Sequence, residues 1–592
     1  MSSIMSRRDL DFLLFEWLGT DDLVARDRFA EHSHDTFVAV LDLAAEVATE
    51  QFAPHNRTAD LNEPRFDGTT VELVAEVGTA LRTFAGAGLL AAPLDESVGG
   101  MQLPLSVFNG CMAWFQAANA GTTGYALLTM AAANLLAQHG TEDQVARYVG
   151  PMAEGRFFGT MALSENQAGS SLADITTRAE PQPDGTYRLF GRKMWISGGD
   201  HELGENIVHL VLARTPDAPA GTRGISLFLV PKVLVEDDGT LGERNDVVLA
   251  GINHKMGFRG TVNTAPVLGD GAHTPGGRPG AVGYLVGGEN RGLPVMFSMM
   301  NEARIGVGLC ATALGYTGYL KSLAYARDRV QGRPVGADPA SAPVALVEHP
   351  DVRRMLLAQK SYVEGGLALN LYCARLVDDI ATLPGFAPDG EKLLGLLTPI
   401  AKSWPSQWCL AANDLAIQVL GGAGYTRDHD LELHYRDNRL NPIHEGTHGI
   451  QGMDLLGRKV LLDAGASLEL LLDRVRATAA RAAGTDAQPY ADQLLGAVDR
   501  LVEVTGVVAA LGDQAAMLAE ASAYLEATGH LVVGWLWLEQ WLTADGRVGD
   551  FYDGKRAATR YYFTRELPKV HALLDVVALA DRLTVDLATD GL

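Results

Sequence analysis

The spacing of apolar and polar positions changes character twice along the chain. Residues 1–157 carry apolar positions at helical spacing, as in "FVAVLDLAAEVATEQF" and "GYALLTMAAANLLAQHG", and predict helices. Between 158 and 290 the runs shorten. "TYRLFGRKMWISGG", "NIVHLVLART", "GISLFLVPK" and "DVVLAGI" are β-branched or aromatic and bounded by Gly, Pro and Asp, so a small β domain is predicted there. Helical spacing returns in "RIGVGLCATALGYTGYLKSLAYARDRV" and "VRRMLLAQKSYVEGGLALNLYCARLVDDI", delimited by the Pro-rich loops "QGRPVGADPASAP" and "LPGFAPDGE". A last helical block runs from 466 to the end. The domains expected are an N-terminal helical extension (1–36), a helical domain (37–157), a middle β domain (158–290), a helical bundle (291–465) and an extra C-terminal helical domain (466–592). A β island between helical regions is an α+β arrangement, and no G-x-G-x-x-G follows a predicted strand.

Composition narrows the function classes. The chain of 592 residues is 47% hydrophobic and 20% charged, which describes an ordinary globular protein. Its 72 acidic against 48 basic residues give −24, which argues against non-specific binding to nucleic acid or an anionic membrane. Cys111, Cys310, Cys373 and Cys409 show no metal or disulfide spacing, so a reducing cytoplasm fits. The start, "MSSIMSRRDLDFLLFEW", does not read as a signal peptide, and no run is apolar enough to predict a transmembrane segment. "HLVVGWLWLEQWL", with three tryptophans, fits a membrane-surface helix or a buried one; its flanks are not basic, which favours burial.

One short motif invites a metal reading. "HEGTH" (444–448) matches H-E-x-x-H, in which two histidines one helical turn apart bind zinc. Gly446, Thr447 and Gly449 are poor helix formers and Pro442 signals a turn, so the two histidines are not expected on one helix face, and no metal is expected. What remains is Glu445, a carboxylate between small neutral residues, suited to close approach by a ligand and to work as a base.

Four further stretches combine small residues with polar or aromatic ones. "MALSENQAGSS" (161–171) closes the first helical region. "GRKMWISGG" (191–199) is expected to place Trp195 and Ser197 on one face of a strand. "QVLGGAGY" (418–425) ends an apolar helix, and "YARDRVQGR" (325–333) offers arginines at a helix C-terminus. Read singly, each also fits a structural role: helix caps, core aromatic, solvated charge.

Together and in this order, these stretches and "HEGTHGIQ" resemble the acyl-CoA dehydrogenase family across residues 40 to 465, and the N-terminal extension and helical tail look like its longer bacterial branch. The resemblance implies an N-terminal helical domain, a middle β domain and a C-terminal four-helix bundle, with FAD as cofactor. It implies that Glu445 removes the α-proton of an acyl-CoA thioester, giving the trans-2-enoyl-CoA, while its backbone N–H and a ribityl hydroxyl steady the thioester oxygen. Met161, Leu163 and Ser164 would line the flavin, Trp195 stack near it and Ser197 hydrogen-bond it. Gly446 and Thr447 would touch the cofactor beside the base, and Arg329, Gln418, Gly421 and Gly422 would reach the FAD of a neighbouring subunit. Ser170 and Arg304 would lie along the CoA arm.

The chain departs from the family pattern at Asn166 (usually proline), at Ser171 (usually aspartate), before Gly332, where phenylalanine is usual, and at His444 and His448, for which a structural role is expected. The partners implied are an acyl-CoA, an electron-transfer flavoprotein or similar acceptor, and a second copy in a homodimer. An acyl-CoA oxidase shares the same site, and a flavin-binding relative without dehydrogenase activity is the reading from another class.

Overall fold

A computed structural model of the protein describes residues 4–591, and of residues 298–301 and 462 the backbone only. The chain forms two compact units, one made of its start to Phe37, Pro104–Ala117 and residues from Arg304 onward, the other of Val38–Leu103 and Ala118–Ala303.

The first unit is helical. Its main elements are α1 (Arg7–Asp11), the first part of α2 (Leu105–His139), most of α3 (Gly292–Asp328), α4 (Pro350–Thr382), α5 (Ala387–Leu420), α6 (His448–Asp454), α7 (Ala521–Ala544) and α8 (Asp550–Arg565). Asp378 of α4 caps α2, accepting from the N–H groups of Leu105 (2.6 Å) and Ser106 (3.0 Å), which a helix start leaves without internal partners.

Close approach of α3 to α5 depends on glycines one face apart. A Cβ on Gly308 would collide with the Ala401 carbonyl, and one on Gly315 or Gly318 would press on Cys409 or Asn413. α5 carries two internal prolines, Pro399 and Pro405, and Pro405 has no N–H to give that Ala401 carbonyl.

The tail is packed into the same unit. Trp535 and Trp537 of α7 are buried, donating to Thr478 Oγ1 (2.7 Å) and to the Ser361 carbonyl of α4 (3.1 Å). The three-tryptophan stretch is therefore core, and among the described residues no helix is long and apolar enough to cross a membrane.

The second unit is built on a nine-stranded sheet: β1 (Phe157–Ala162), β2 (Arg178–Pro181), β3 (Tyr187–Arg192), β4 (Ile196–Ser197), β5 (Asn206–Ala213), β6 (Ser226–Pro231), β7 (Val247–Ile252), β8 (Asn263–Leu268) and β9 (Ala281–Val286). Its order is β7-β8-β3-β9-β6-β5-β1, with β2 beside β3 and β4 beside β8; β1 and β5 run parallel and the other pairs antiparallel. β5 is buried along its whole length because alternate residues serve two cores: Val208, Leu210 and Leu212 pack with Ala132 and Leu136 of α2, whereas Val211 and Ala213 face Phe228 and Val230. The stretch from Met161 does not close a helical region as expected: Met161 and Ala162 end β1, whose preceding apolar run pairs with β5.

Candidate active site

Glu445 sits in a tight loop between Asn438 and α6. His444 N–H donates to the Leu440 carbonyl (3.2 Å) and His448 N–H to that of Pro442 (3.1 Å), so the chain reverses around the glutamate. Thr447 then caps α6, its hydroxyl accepting from Ile450 N–H (3.4 Å). HEGTH thus lies across a turn and a helix start, with α6 beginning at His448, and does not meet the helical geometry a shared metal requires.

The backbone at the glutamate is strained. Glu445 has φ +53° and Gly446 φ +86°, a left-handed pair that for a non-glycine residue is uncommon and clusters at functional sites. Two buried side chains hold it there. Lys402 of α5 donates from Nζ to the carbonyls of Asn441 (2.7 Å) and Gly446 (2.8 Å), and Gln451 of α6 donates from Nε2 to that of Glu445 (2.9 Å). The carbonyls are thereby tied back, while the Glu445 N–H has no acceptor among the described residues. Such a fixed, free donor beside a carboxylate suits an oxygen that gains negative charge.

The electrostatics suit a base. Burial pushes the Glu445 carboxyl above the ordinary carboxylate value, against the opposing pull of Lys402 and Arg304. Arg304 is buried, pairs with Asp454 (3.1 Å), and its charge also acts on the Glu445 carboxyl. Both histidines are neutral and hydrogen-bonded: His444 Nε2 meets Asn441 Oδ1 (3.0 Å) and His448 Nδ1 meets Ser403 Oγ (3.2 Å), with burial and then Lys402 pushing them down to about 3 and about 4.

Gly446 cannot be replaced cheaply. A Cβ there would lie 2.5 Å from Gln451 Nε2, at a φ that disfavours any side chain. Gly446→Ala is expected to lower kcat about tenfold or more, because a shift of about 1 Å in a catalytic group costs up to 10²-fold. Steady-state kinetics beside a melting curve checks this; unchanged kcat would show that the loop tolerates the shift.

In the second unit, residues 163–165 and 193–197 are stitched together. Lys193 Nζ donates to the Leu163 carbonyl (3.1 Å) and pairs with Glu165 (3.0 Å), and Met194 N–H donates to the Ser164 carbonyl (3.0 Å). Burial pushes Lys193 down to about 8. Glu165 is held at about 2: burial raises it, but the Lys193 charge and the hydrogen bonds from Thr176 and Thr177 outweigh that. This pair brings Met161, Leu163 and Ser164 into one patch with Trp195 and Ser197.

Trp195 is not in a strand, as expected from its spacing to Ser197. It precedes β4 at φ +66° and is 61% exposed, so it is not core either. An exposed indole held at a costly backbone angle, next in sequence to Met194, whose N–H donates to the Ser164 carbonyl, fits a planar aromatic cofactor such as a flavin. Ser170 lies exposed in the loop that follows β1.

The remaining expected residues lie exposed on the first unit. Arg329 follows the end of α3, Gln418 lies in the last turn of α5, and Gly421 (φ +59°) ends it. Nothing lies within 4 Å of a Cβ built on Gly421 or Gly422, so a ligand has flat access to that backbone. Sequence reasoning missed Lys402, Gln451 and the Lys193–Glu165 pair. A lone lysine in the apolar run "LLGLLTPIAKSW" was the available signal for the first.

Comparison with known proteins finds matches along most of the chain. Residues 35–156, 160–268 and 290–461 match the family models "Acyl-CoA dehydrogenase" N-terminal, middle and C-terminal domain, and 471–588 match "Acetyl-CoA dehydrogenase C-terminal like". A 3-methylmercaptopropionyl-CoA dehydrogenase of Ruegeria pomeroyi is 36% identical over 538 residues, 89% of each chain. Among solved structures, ACDH-11 of Caenorhabditis elegans in complex with C11-CoA superposes with a TM-score of 0.79 at 19% identity, covering 98% of this chain and 94% of that one. An acyl-CoA dehydrogenase complexed with FAD from Bacillus anthracis gives 0.74 at 18%, covering 96% and 92%. This chain belongs to the acyl-CoA dehydrogenase family.

Proposed function

We propose that the protein is an FAD-dependent acyl-CoA dehydrogenase in which Glu445 takes the α-proton of an acyl-CoA thioester and a trans-2-enoyl-CoA leaves. The observation that carries this is the loop itself: a carboxylate with a raised pKa, on strained backbone, beside its own N–H, which has no acceptor among the described residues. An α-proton next to a thioester is a weak acid, so its removal needs a close base and a donor for the enolate oxygen; Glu445 supplies both from one residue.

FAD, when bound, takes up the hydride that leaves the β-carbon. Met161, Leu163, Ser164, Trp195 and Ser197 hold and orient it, with Gly446 and Thr447 beside the base. Arg329, Gln418, Gly421 and Gly422 serve the cofactor of a second copy in a homodimer. Their exposure supports this, as does that of neighbouring Tyr425, 90% exposed. Ser170 and Arg304 serve the CoA arm. The domain limits 37–157, 158–290 and 291–465, the extension 1–36 and the tail 466–592 belong to the same reading, as do a cytoplasmic setting and an electron-transfer flavoprotein as acceptor.

The test is the visible spectrum of the purified protein, recorded anaerobically before and after a panel of acyl-CoA thioesters. Flavin bands that bleach with particular thioesters are expected. A protein that holds no flavin and takes up none would overturn the reading.

A further inference from the structure

Lys402 is a buried cation that the proton-transfer chemistry does not by itself require. It is 0% exposed, on the face of α5 between Pro399 and Pro405, and a lysine so placed must be compensated or lose its proton. Of its three N–H bonds two go to the carbonyls of Asn441 and Gly446, and the third has no acceptor among the described residues. Carbonyl dipoles compensate a buried ammonium only in part. The anion whose field acts on it is the Glu445 carboxylate.

The other groups facing this pair are ion-paired or uncharged. Arg304, from α3, is engaged by Asp454. His444 and His448 are neutral down to about 3 and about 4. Cys310 of α3 touches Asn441, and burial pushes its thiol up to about 12. Of the two cations that act on the Glu445 carboxyl, Lys402 has the larger effect, and it alone is bonded to the same loop.

We propose that Lys402 is a positioning residue for Glu445: anchored on both flanks of the loop, its ammonium holds the left-handed turn and keeps the glutamate carboxyl ionised inside an apolar site. This rests on Glu445 being the base. The sign of the coupling follows from the charges. Burial alone raises the carboxyl; an ammonium nearby lowers it, so the base remains ionised, and hence active, at a lower pH than the site would otherwise allow. Burial in turn pulls Lys402 down to about 7, with Glu445 holding it up, so the ammonium is present below neutrality, where the carboxylate needs it.

Lys402→Met removes the charge at similar volume, and Lys402→Gln removes it while keeping an amide donor for the carbonyls; the second variant serves if the first does not fold. Infrared titration of the Glu445 carboxyl band, identified by its loss in Glu445→Gln, reads the coupling with no substrate present. In either variant the band is expected to titrate about 1 pH unit or more higher than in the unaltered protein. The acid limb of kcat/KM is expected to move with it, lowering activity about tenfold below that limb, since one pH unit is a tenfold change in the ionised fraction. A lysine that merely plugged the carbonyls would lower the melting temperature and leave the carboxyl titration where it was, and that result overturns the proposal. Because the infrared measurement needs no turnover, a chain that oxidised no thioester would count against the function and leave this test standing.

Discussion

Glu445→Gln is expected to lower turnover of a good acyl-CoA substrate by about 10²–10⁴-fold, the range a positioned general base supplies, with flavin content unchanged. The amide fills the same volume and keeps the backbone N–H, so substrate still binds, and the loss falls on kcat. Glu445→Asp keeps the acid but withdraws it by one methylene, and a misplacement of that order costs about 10²-fold. Two opposing effects are expected on stability. The folded protein raises the pKa of this carboxyl, so at neutral pH it holds an anion that the unfolded chain holds more easily. Relative to the unfolded chain the carboxyl favours folding only while it is protonated, and that contribution is lost as pH rises through the folded value. The Gln variant escapes that cost but leaves buried Lys402 without its counter-charge, so it is expected to melt close to the unaltered protein at neutral pH, and the loss is one of activity rather than of fold. Paired kinetics and calorimetry check this; a Gln variant that retained most of the turnover would remove Glu445 as the base.

Much of this was legible in the chain because it rests on periodicity and order. The helical, β, helical plan follows from the switch between 3.6- and 2-residue spacing, and β3, β5, β6 and β7 all fall on runs that read as strands. Glu445 was legible from the order of motifs around it. Its left-handed backbone was not, since no local rule places a glutamate at φ +53°; the carbonyls held by Gln451 and by Lys402, the latter far off in sequence, do so. Trp195 was misplaced for the same reason. Alternation assumes a continuous strand, but β3 ends at Arg192 and the Met194 N–H turns to the Ser164 carbonyl just before the indole. Lys402 illustrates a further limit: from sequence a lysine in an apolar helix reads as a snorkelling surface residue, and only the neighbouring loop shows that it points inward.

The largest stability loss is expected from Lys555→Met, at a cluster that joins the two ends of the chain. Lys555 of α8 is wholly buried between Asp9 of α1 and Glu364 of α4, the latter at 2.9 Å. Asp9 also accepts from the Tyr316 hydroxyl (2.9 Å), Glu364 is paired with Lys360, and the Lys555 ammonium lies 5.0 Å from the Phe12 ring. Burial would push Glu364 up, but Lys360 and Lys555 together hold it below the ordinary carboxylate value. Removing Lys555 leaves Asp9 buried with a single hydroxyl for company, and stranding one partner of a buried pair costs about 3–5 kcal/mol. Replacing both ends, with Asp9→Leu beside Lys555→Met, is expected to restore most of that loss, because two apolar side chains of similar volume carry no desolvation cost. Chemical denaturation of the two single variants and the double variant forms a cycle whose coupling energy reads the interaction directly. The same cycle separates two roles for the ions. If the double variant regains stability but its N-terminal segment is cut faster by a protease, the charges serve to place α1 against α8 rather than to stabilise the fold. If all three variants differ by less than about 1 kcal/mol, within the range of exposed pairs, the cluster is solvated in solution and does not latch the two ends together.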